Sequence, residues 1–191
     1  MSRYDVLLFI HIAMAVIWVG GALMIQFFGM RATVAGGERA ALFLVDVEWI
    51  ANRVLTPSSL LAFASGVFMV VDGPWSFGDD WIAIGLALFG ITFLAGAGFF
   101  GPESKRLANV IAEHGFESPQ AQRRIARLIL FSRLDLVLLF LILYDMAVKP
   151  SLGDPAIIVV GLVGAAVAAA LVLWRSLSGG VPERPAPASA D

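Results

Sequence analysis

Several residues in this chain have side chains that could do chemistry at membrane depth, and the first of them sets the question. His11 opens the stretch "HIAMAVIWVGG", residues 11–21, which otherwise reads as a membrane-spanning helix. An ionisable or imidazole group at that depth is expensive to keep, so each one is a functional candidate by default. His11 falls ~10 Å inside the first apolar segment at 1.5 Å per residue. Ala15, Trp18 and Ala22 follow it at i+4, i+7 and i+11, so His11 and Trp18 share one face lined with small residues. That face has room for a flat ligand or for a neighbouring helix. Met14 stands one turn further along, and Met69 and Met146 fall near the same end of two later segments. Imidazole plus thioethers is a donor set suited to Cu(I), while an imidazole alone can serve as the axial ligand of a haem. The cofactor-binding candidates are therefore His11, Met14 and Trp18, and the metal candidates His11, Met14, Met69 and Met146. Against both stands the structural reading, a hydrogen-bonded histidine in a methionine-filled core.

A second polar group gathers at the other end of the segments. Arg133 and Asp135 sit in "LILFSRLDLVLLF", two residues apart on a helix and hence on different faces. Arg133 can snorkel to the interface, but Asp135 is too short to do so. Arg53 is the expected partner of Asp135, with Gln26 nearby, forming a structural polar cluster of Gln26, Arg53, Arg133 and Asp135. A proton relay or a headgroup site is the functional alternative to such an ion pair. Asp145 and Lys149, spaced i,i+4 with the acid first, are expected to pair as well.

The elements that position these groups follow from composition. Of 191 residues 59% are hydrophobic and only 15% charged, where soluble chains carry about 25%. The formal charge of −2 gives no basic excess for a nucleic-acid partner, and the lack of cysteine removes disulfides, thiolate metal sites and thiol catalysis. Val6 to Phe28 runs uncharged for 23 residues, too long for the ~7–15 of a signal-peptide h-region, so the segment reads as retained. Five stretches approach the ~20 apolar residues of a spanning helix: Tyr4–Phe28, Thr56–Val71 with an extension back through Asn52, Asp80–Gly101, Leu128–Val148 and Pro155–Trp174.

Thr56-Pro57 and Asp154-Pro155 read as N-caps followed by proline at the first helical position, and Asp79 or Asp80 as a cap. "GGERAALFLVDVEWIANRV" carries Leu42, Val45 and Trp49 at helical spacing. It reads as an interfacial helix or as an extension of the second segment bent at Pro57. Pro102 to Gly115 is a further helix, and Ser118-Pro119 opens the next. Glycines in the third segment (Gly85, Gly90, Gly96, Gly98, Gly101) and small residues in the fifth (Gly161, Gly164, Ala165, Ala168, Ala169) suit close helix packing. Residues 1–176 form one transmembrane helical-bundle domain, and the Pro/Ala/Ser-rich 177–191 is expected to be a disordered tail.

Arg31, Arg39 and Arg53 lie in the first connection and Lys105, Arg106, Arg123, Arg124 and Arg127 in the third, whereas the second carries no lysine or arginine and the fourth only Lys149. By the positive-inside rule the N-terminus is outside and the C-terminus inside, although Arg3 opposes this. The expected fold is an all-α membrane protein, a bundle of five transmembrane helices with a four-helix core, in a bacterial inner membrane.

His11, six intervening residues, Trp18 and then Gly20-Gly21 resemble the first helix of the copper-resistance D family and, more closely, a bacterial predicted integral-membrane family of unknown function. The His-x6-Trp spacing with Gly21 is also similar to HemJ-type protoporphyrinogen oxidases, whose histidine binds haem b. The resemblance covers residues 7–21; beyond it lie only the small-bundle architecture and a proline after the third helix, Pro102. It implies haem b on His11, or copper. The HemJ-type pattern continues with a Pro-Arg pair and a second histidine, where this chain has Gln26 and Phe27. The only other histidine, His114, is placed in a connection at the opposite end, so bis-histidine ligation within one chain is excluded. No phosphate loop, nucleophile elbow or zinc-protease motif is present. Two classes stay open: a redox or metal-handling protein, and a non-catalytic accessory or assembly subunit of a larger membrane complex without cofactor. A homodimer is compatible with either.

Overall fold

A computed structural model of the chain describes residues 2–35, 37–155, 157, 161–162, 164–166 and 169. Most of the expected fifth segment, including Trp174, and the tail 177–191 lie outside them. Among the described residues the secondary structure is helical throughout. The elements are α1 (Arg3–Ala35), α2 (Gly37–Ile50), α3 (Thr56–Asp72), α4 (Asp80–Ala95), α5 (Gly101–His114) and α6 (Pro119–Val148). Among the described residues three continuous helical stretches are long and apolar enough to cross a membrane: Arg3–Ala32, Leu42–Asp72 and Asp80–His114. The last two exceed single elements because α2 runs into α3, and α4 into α5, through one π turn each, Ala51–Leu55 and Gly96–Phe100. α6 is as long as these, but Arg133, Asp135 and Asp145 interrupt its apolar run.

Both π turns end two residues before a proline. Thr56 N–H bonds back to Ala51 O and Gly101 N–H to Gly96 O, each a wide i→i−5 closure immediately ahead of Pro57 or Pro102. Proline cannot donate, and its ring clashes with the carbonyl four residues back; a widened turn lets the helix pass that point without ending. The structure thus corrects one expectation: Thr56 is not an N-cap, since its backbone is already helical (φ −63°, ψ −50°). Pro57 and Pro102 do stand in the first turns of α3 and α5, but the π turns join these helices to the ones before them. Of the two readings of residues 37–55, extension of the second segment holds, with the π turn beside Pro57 as the break. About 20 residues inward from Asp72, or from Asp80, lead to the two π turns, so both fall where a hydrocarbon core would end. Elsewhere the caps follow the sequence. Ser118 accepts from Ala121 N–H at 3.3 Å. Asp79 takes the extended cap position of α4, yet its carboxylate turns back to Ser76 N–H at 3.0 Å. Asp80 instead holds the distant Leu152 N–H at 2.8 Å.

Two antiparallel pairs make the bundle. α1 lies along α3 in the most extensive helix contact of the molecule, α4 lies along α6, and α1 also touches α6. The first pair is registered by glycines that receive large side chains: Tyr4 against Gly73, His11 against Gly66, Leu55 against Gly21 and Phe43 against Gly29. In the second pair Met146 and Asp145 press on Gly85. Gly90, Gly96 and Gly98 have open space where a Cβ would stand, so the close-packing role expected for all of that stripe holds at Gly85 and not there. In the fifth segment, Gly164 packs near Leu141 of α6.

Beyond the π turns the helices build a different kind of core. Leu107, Ala121 and Ile125 are buried together, with Leu44, Val110, Ile111 and Phe116 packed on them. α2 therefore folds against the rest of the molecule. Glu103 is buried beside this cluster, and Arg124 donates to it at 2.7 Å while Arg106 stands 3.7 Å away. Removing one partner of a buried ion pair strands the other charge. Arg124→Met should cost roughly 2–4 kcal/mol in thermal or denaturant unfolding of the detergent-solubilised protein. Arg106→Met, at a more exposed and longer contact, should cost no more than about 1 kcal/mol.

Candidate functional site

His11 lies on the α1–α3 seam, half-buried. Its Nδ1 is 2.7 Å from the carbonyl oxygen of Ala62. A carbonyl only accepts, so Nδ1 carries the hydrogen, and in the neutral ring Nε2 keeps its lone pair. Nε2 has no partner among the described residues. The single hydroxyl hydrogen of Ser65 is shared between Leu61 O at 2.6 Å and the same Ala62 oxygen at 3.0 Å, so two side chains converge on one turn of α3. Gly66 makes the approach possible: a Cβ there would stand 3.1 Å from His11 Cε1 and 3.2 Å from Nδ1. The imidazole is thus seated over a glycine and pinned by a backbone carbonyl. Metal-bound histidines are commonly oriented by just such an N–H···O=C bond, and so are purely structural ones.

The small polar residues of this interior are satisfied locally. Ser59 Oγ donates to Thr56 O at 2.9 Å and Thr92 Oγ1 to Phe89 O at 3.0 Å, both within their own helices. Serines on α3 (Ser58, Ser59, Ser65) and Thr92 on α4 are buried, while many large apolar side chains of the same helices, among them Leu61, Phe68, Phe93 and Leu94, are exposed, the pattern of a bundle surrounded by lipid.

Trp18, two turns from His11, sets its ring edge on Phe89 of α4 at 5.6 Å. Phe89 in turn stacks on Phe63 of α3 at 4.7 Å, with 16° between the planes. These rings bridge the two helix pairs. Beside them a groove of about 490 Å³, lined by Leu60, Phe63, Phe89, Gly90 and Phe93 among others, opens on the outer surface of the bundle. His11 does not line it, nor a smaller cavity of about 60 Å³ among Gly29, Phe43 and Ile125. The seat of His11 fits a single axial ligand, one free and oriented imidazole nitrogen. No second histidine joins it: His114 is exposed at the end of α5, with Nδ1 3.8 Å from Glu113.

The other sequence candidates disperse. Met14 stays on α1 near His11, and Met69 sits in the last turn of α3. Met146 is on the α4–α6 seam over Gly85. Among the described residues no group of three or more histidine or carboxylate side chains could hold a metal ion. The polar cluster is not assembled as drawn from sequence. Asp135 Oδ1 is buried without a hydrogen-bond partner, whereas Arg53 is exposed on the π turn. Nor do Asp145 and Lys149 pair. Lys149 Nζ lies 3.9 Å from the ring centre of Trp75 and 5.3 Å from that of Trp81, and both Asp145 oxygens are left without a donor. The aromatic pair competes with the carboxylate for the ammonium. The sequence does contain both rings, but nothing in it brings them to Lys149.

Residues 5–150 match the family described as predicted integral membrane protein, DUF2269, and the chain belongs to that family. No curated protein and no solved structure matches it.

The seat of His11 is testable by a double-mutant cycle. Gly66→Ala should cost about 1–2 kcal/mol, because the ring or α3 must shift. His11→Ala should cost a similar amount through the lost hydrogen bond and packing. In the His11→Ala background, Gly66→Ala should become nearly neutral, giving a coupling above about 0.5 kcal/mol. Additive effects in thermal unfolding would remove the contact from the account.

Proposed function

We propose that this chain, a predicted integral membrane protein by family, carries a haem b on His11 and serves redox or metal handling in a bacterial inner membrane. The observation that supports the reading is the 2.7 Å contact of Nδ1 with the Ala62 carbonyl, which fixes the tautomer and keeps Nε2 free to ligate. Trp18 lies on the same face two turns away and offers an aromatic wall. When bound, a haem would supply one-electron chemistry at the iron. The chain's own contribution is to orient the imidazole through Ala62 and Gly66 and to keep water from its surroundings. Copper on His11 is the lesser alternative, with Met14 the methionine that stays beside it on α1 while Met69 and Met146 stand apart. A second reading follows from the same geometry, because a histidine bonded to a carbonyl over a glycine is also an effective clamp between helices. On that reading the protein is an accessory or assembly subunit of a larger membrane complex and binds no cofactor.

The topology proposed with it has four core helices, α1, α3, α4 and α6, and a fifth from Pro155 onward, with the N-terminus outside. Its support is the distribution of charge. Arg31, Arg39, Arg53, Lys105, Arg106, Arg123, Arg124 and Arg127 all lie beyond or at the π turns, and the aromatic belt of Trp75 and Trp81 lies at the opposite end.

Two measurements check these proposals. Protein purified in mild detergent should show a Soret band that sharpens and shifts with dithionite, and His11→Ala should abolish it while the helical circular dichroism persists. A colourless preparation without metal, co-purifying with a stoichiometric partner, would favour the subunit. For topology, the cysteine-free chain allows single reporters. Gly78→Cys should react with a membrane-impermeant maleimide from the periplasmic side, and Glu113→Cys only after the membrane is opened; the reverse pattern would invert the orientation.

A further inference from the structure

Asp145 is a buried acid of the bundle and does not belong to the His11 site. It is 2% exposed, and neither carboxyl oxygen has a hydrogen-bond partner. It sits on the α4–α6 seam, where Oδ2 would stand 2.9 Å from a Cβ on Gly85. Glycine at 85 is what admits the carboxyl to the seam. The other polar groups at this end of the bundle are occupied elsewhere. Asp80 holds Leu152 N–H, Asp79 holds Ser76 N–H, and Asp5 accepts from Ser2 N–H. Arg3 stands 3.8 Å from Asp72, and Tyr4 Oη accepts from Trp75 Nε1. Asp154 lies in the turn after Leu152, where its carbonyl receives Ile157 N–H. Of the cations here, Lys149 is one helical turn from Asp145: its own N–H bonds to Asp145 O at 2.8 Å, which sets the two residues in i,i+4 register. Its ammonium rests on Trp75 and Trp81 instead.

We propose that Asp145 is a proton-binding site on the α4–α6 seam, with Lys149 as a counter-ion held in reserve on the tryptophan pair. An ionised carboxylate sealed from water without a donor is prohibitively costly, so the arrangement seen is that of the neutral acid. When the O–H bond breaks, the proton passes to water at the near boundary, one turn away. The carboxylate then draws the Lys149 ammonium off Trp75; lysine keeps its three protons, and the seam gains an ion pair in place of a cation–π contact. The site therefore couples proton binding to the packing of the 73–79 loop, which Trp75 anchors to Tyr4.

The test uses the full chain in lipid vesicles, followed through a pH titration by infrared and tryptophan fluorescence spectroscopy. The expected result is a protonated-carboxyl C=O stretch that disappears in Asp145→Asn, accompanied in the unmodified chain by a change in tryptophan emission. Asp145→Asn is isosteric and should remain folded, and its emission should no longer respond over that range. Lys149→Met should keep the carboxyl band and lose the emission change, since the mobile partner is gone. A band unaffected by Asp145→Asn would overturn the proton site. An emission change that survives Lys149→Met would overturn the role of Lys149.

Discussion

Between helices in lipid there is little hydrophobic driving force, because the surrounding chains are as apolar as the side chains that would be buried. What remains is close contact, and in this protein close contact depends on glycine sockets. Gly73, Gly66, Gly21 and Gly29 take Tyr4, His11, Leu55 and Phe43 in succession along one antiparallel seam. The register of α1 on α2–α3 is fixed by that sequence of sockets, and the position of His11 is one consequence of it. On the second seam Gly85 plays the same part for Met146 and Asp145. The two polar groups of greatest chemical interest are therefore both seated on glycines, where a Cβ would crowd them.

The molecule changes character at the two π turns. On the side of His11 and Asp145 the interior mixes small and polar residues with a few larger ones such as Ile82 and Leu139, and many large apolar side chains look outward. On the other side Leu107, Ala121 and Ile125 form a conventional apolar cluster, and the buried Glu103 carboxylate beside it is met by the partly exposed Arg124. Such a cluster draws on the hydrophobic effect in water, while the membrane side relies on packing and hydrogen bonds. Pro57 and Pro102 sit at the junction, and the π turns keep each helix continuous across it.

Much of this was legible in the sequence, and the failures are instructive. Hydropathy located every spanning stretch that the structure describes, and Ser118 was a sound cap because its chemistry is local. Pro57 and Pro102 mark the first turns of α3 and α5 as read, but nothing local showed that a π turn joins each of these helices to the one before it. The Asp145–Lys149 spacing was right for an ion pair, and two rings from elsewhere in the chain took the ammonium. Asp135 and Arg53 were matched by charge and depth, yet their helices do not bring them together. For His11, depth marked the residue. Its partner is a backbone carbonyl, a group present at every position and hence invisible to pattern reading.

The sequence by itself determined the solvent of this protein and the existence of its helices, because apolar length and the cost of bare backbone in lipid are properties of single segments. Which acid keeps its proton partnerless, which cation is withheld from it and which carbonyl holds the imidazole were decided by the tertiary structure. Those outcomes depend on competition among groups far apart in the chain, settled only when the two seams bring them within a few ångströms of one another.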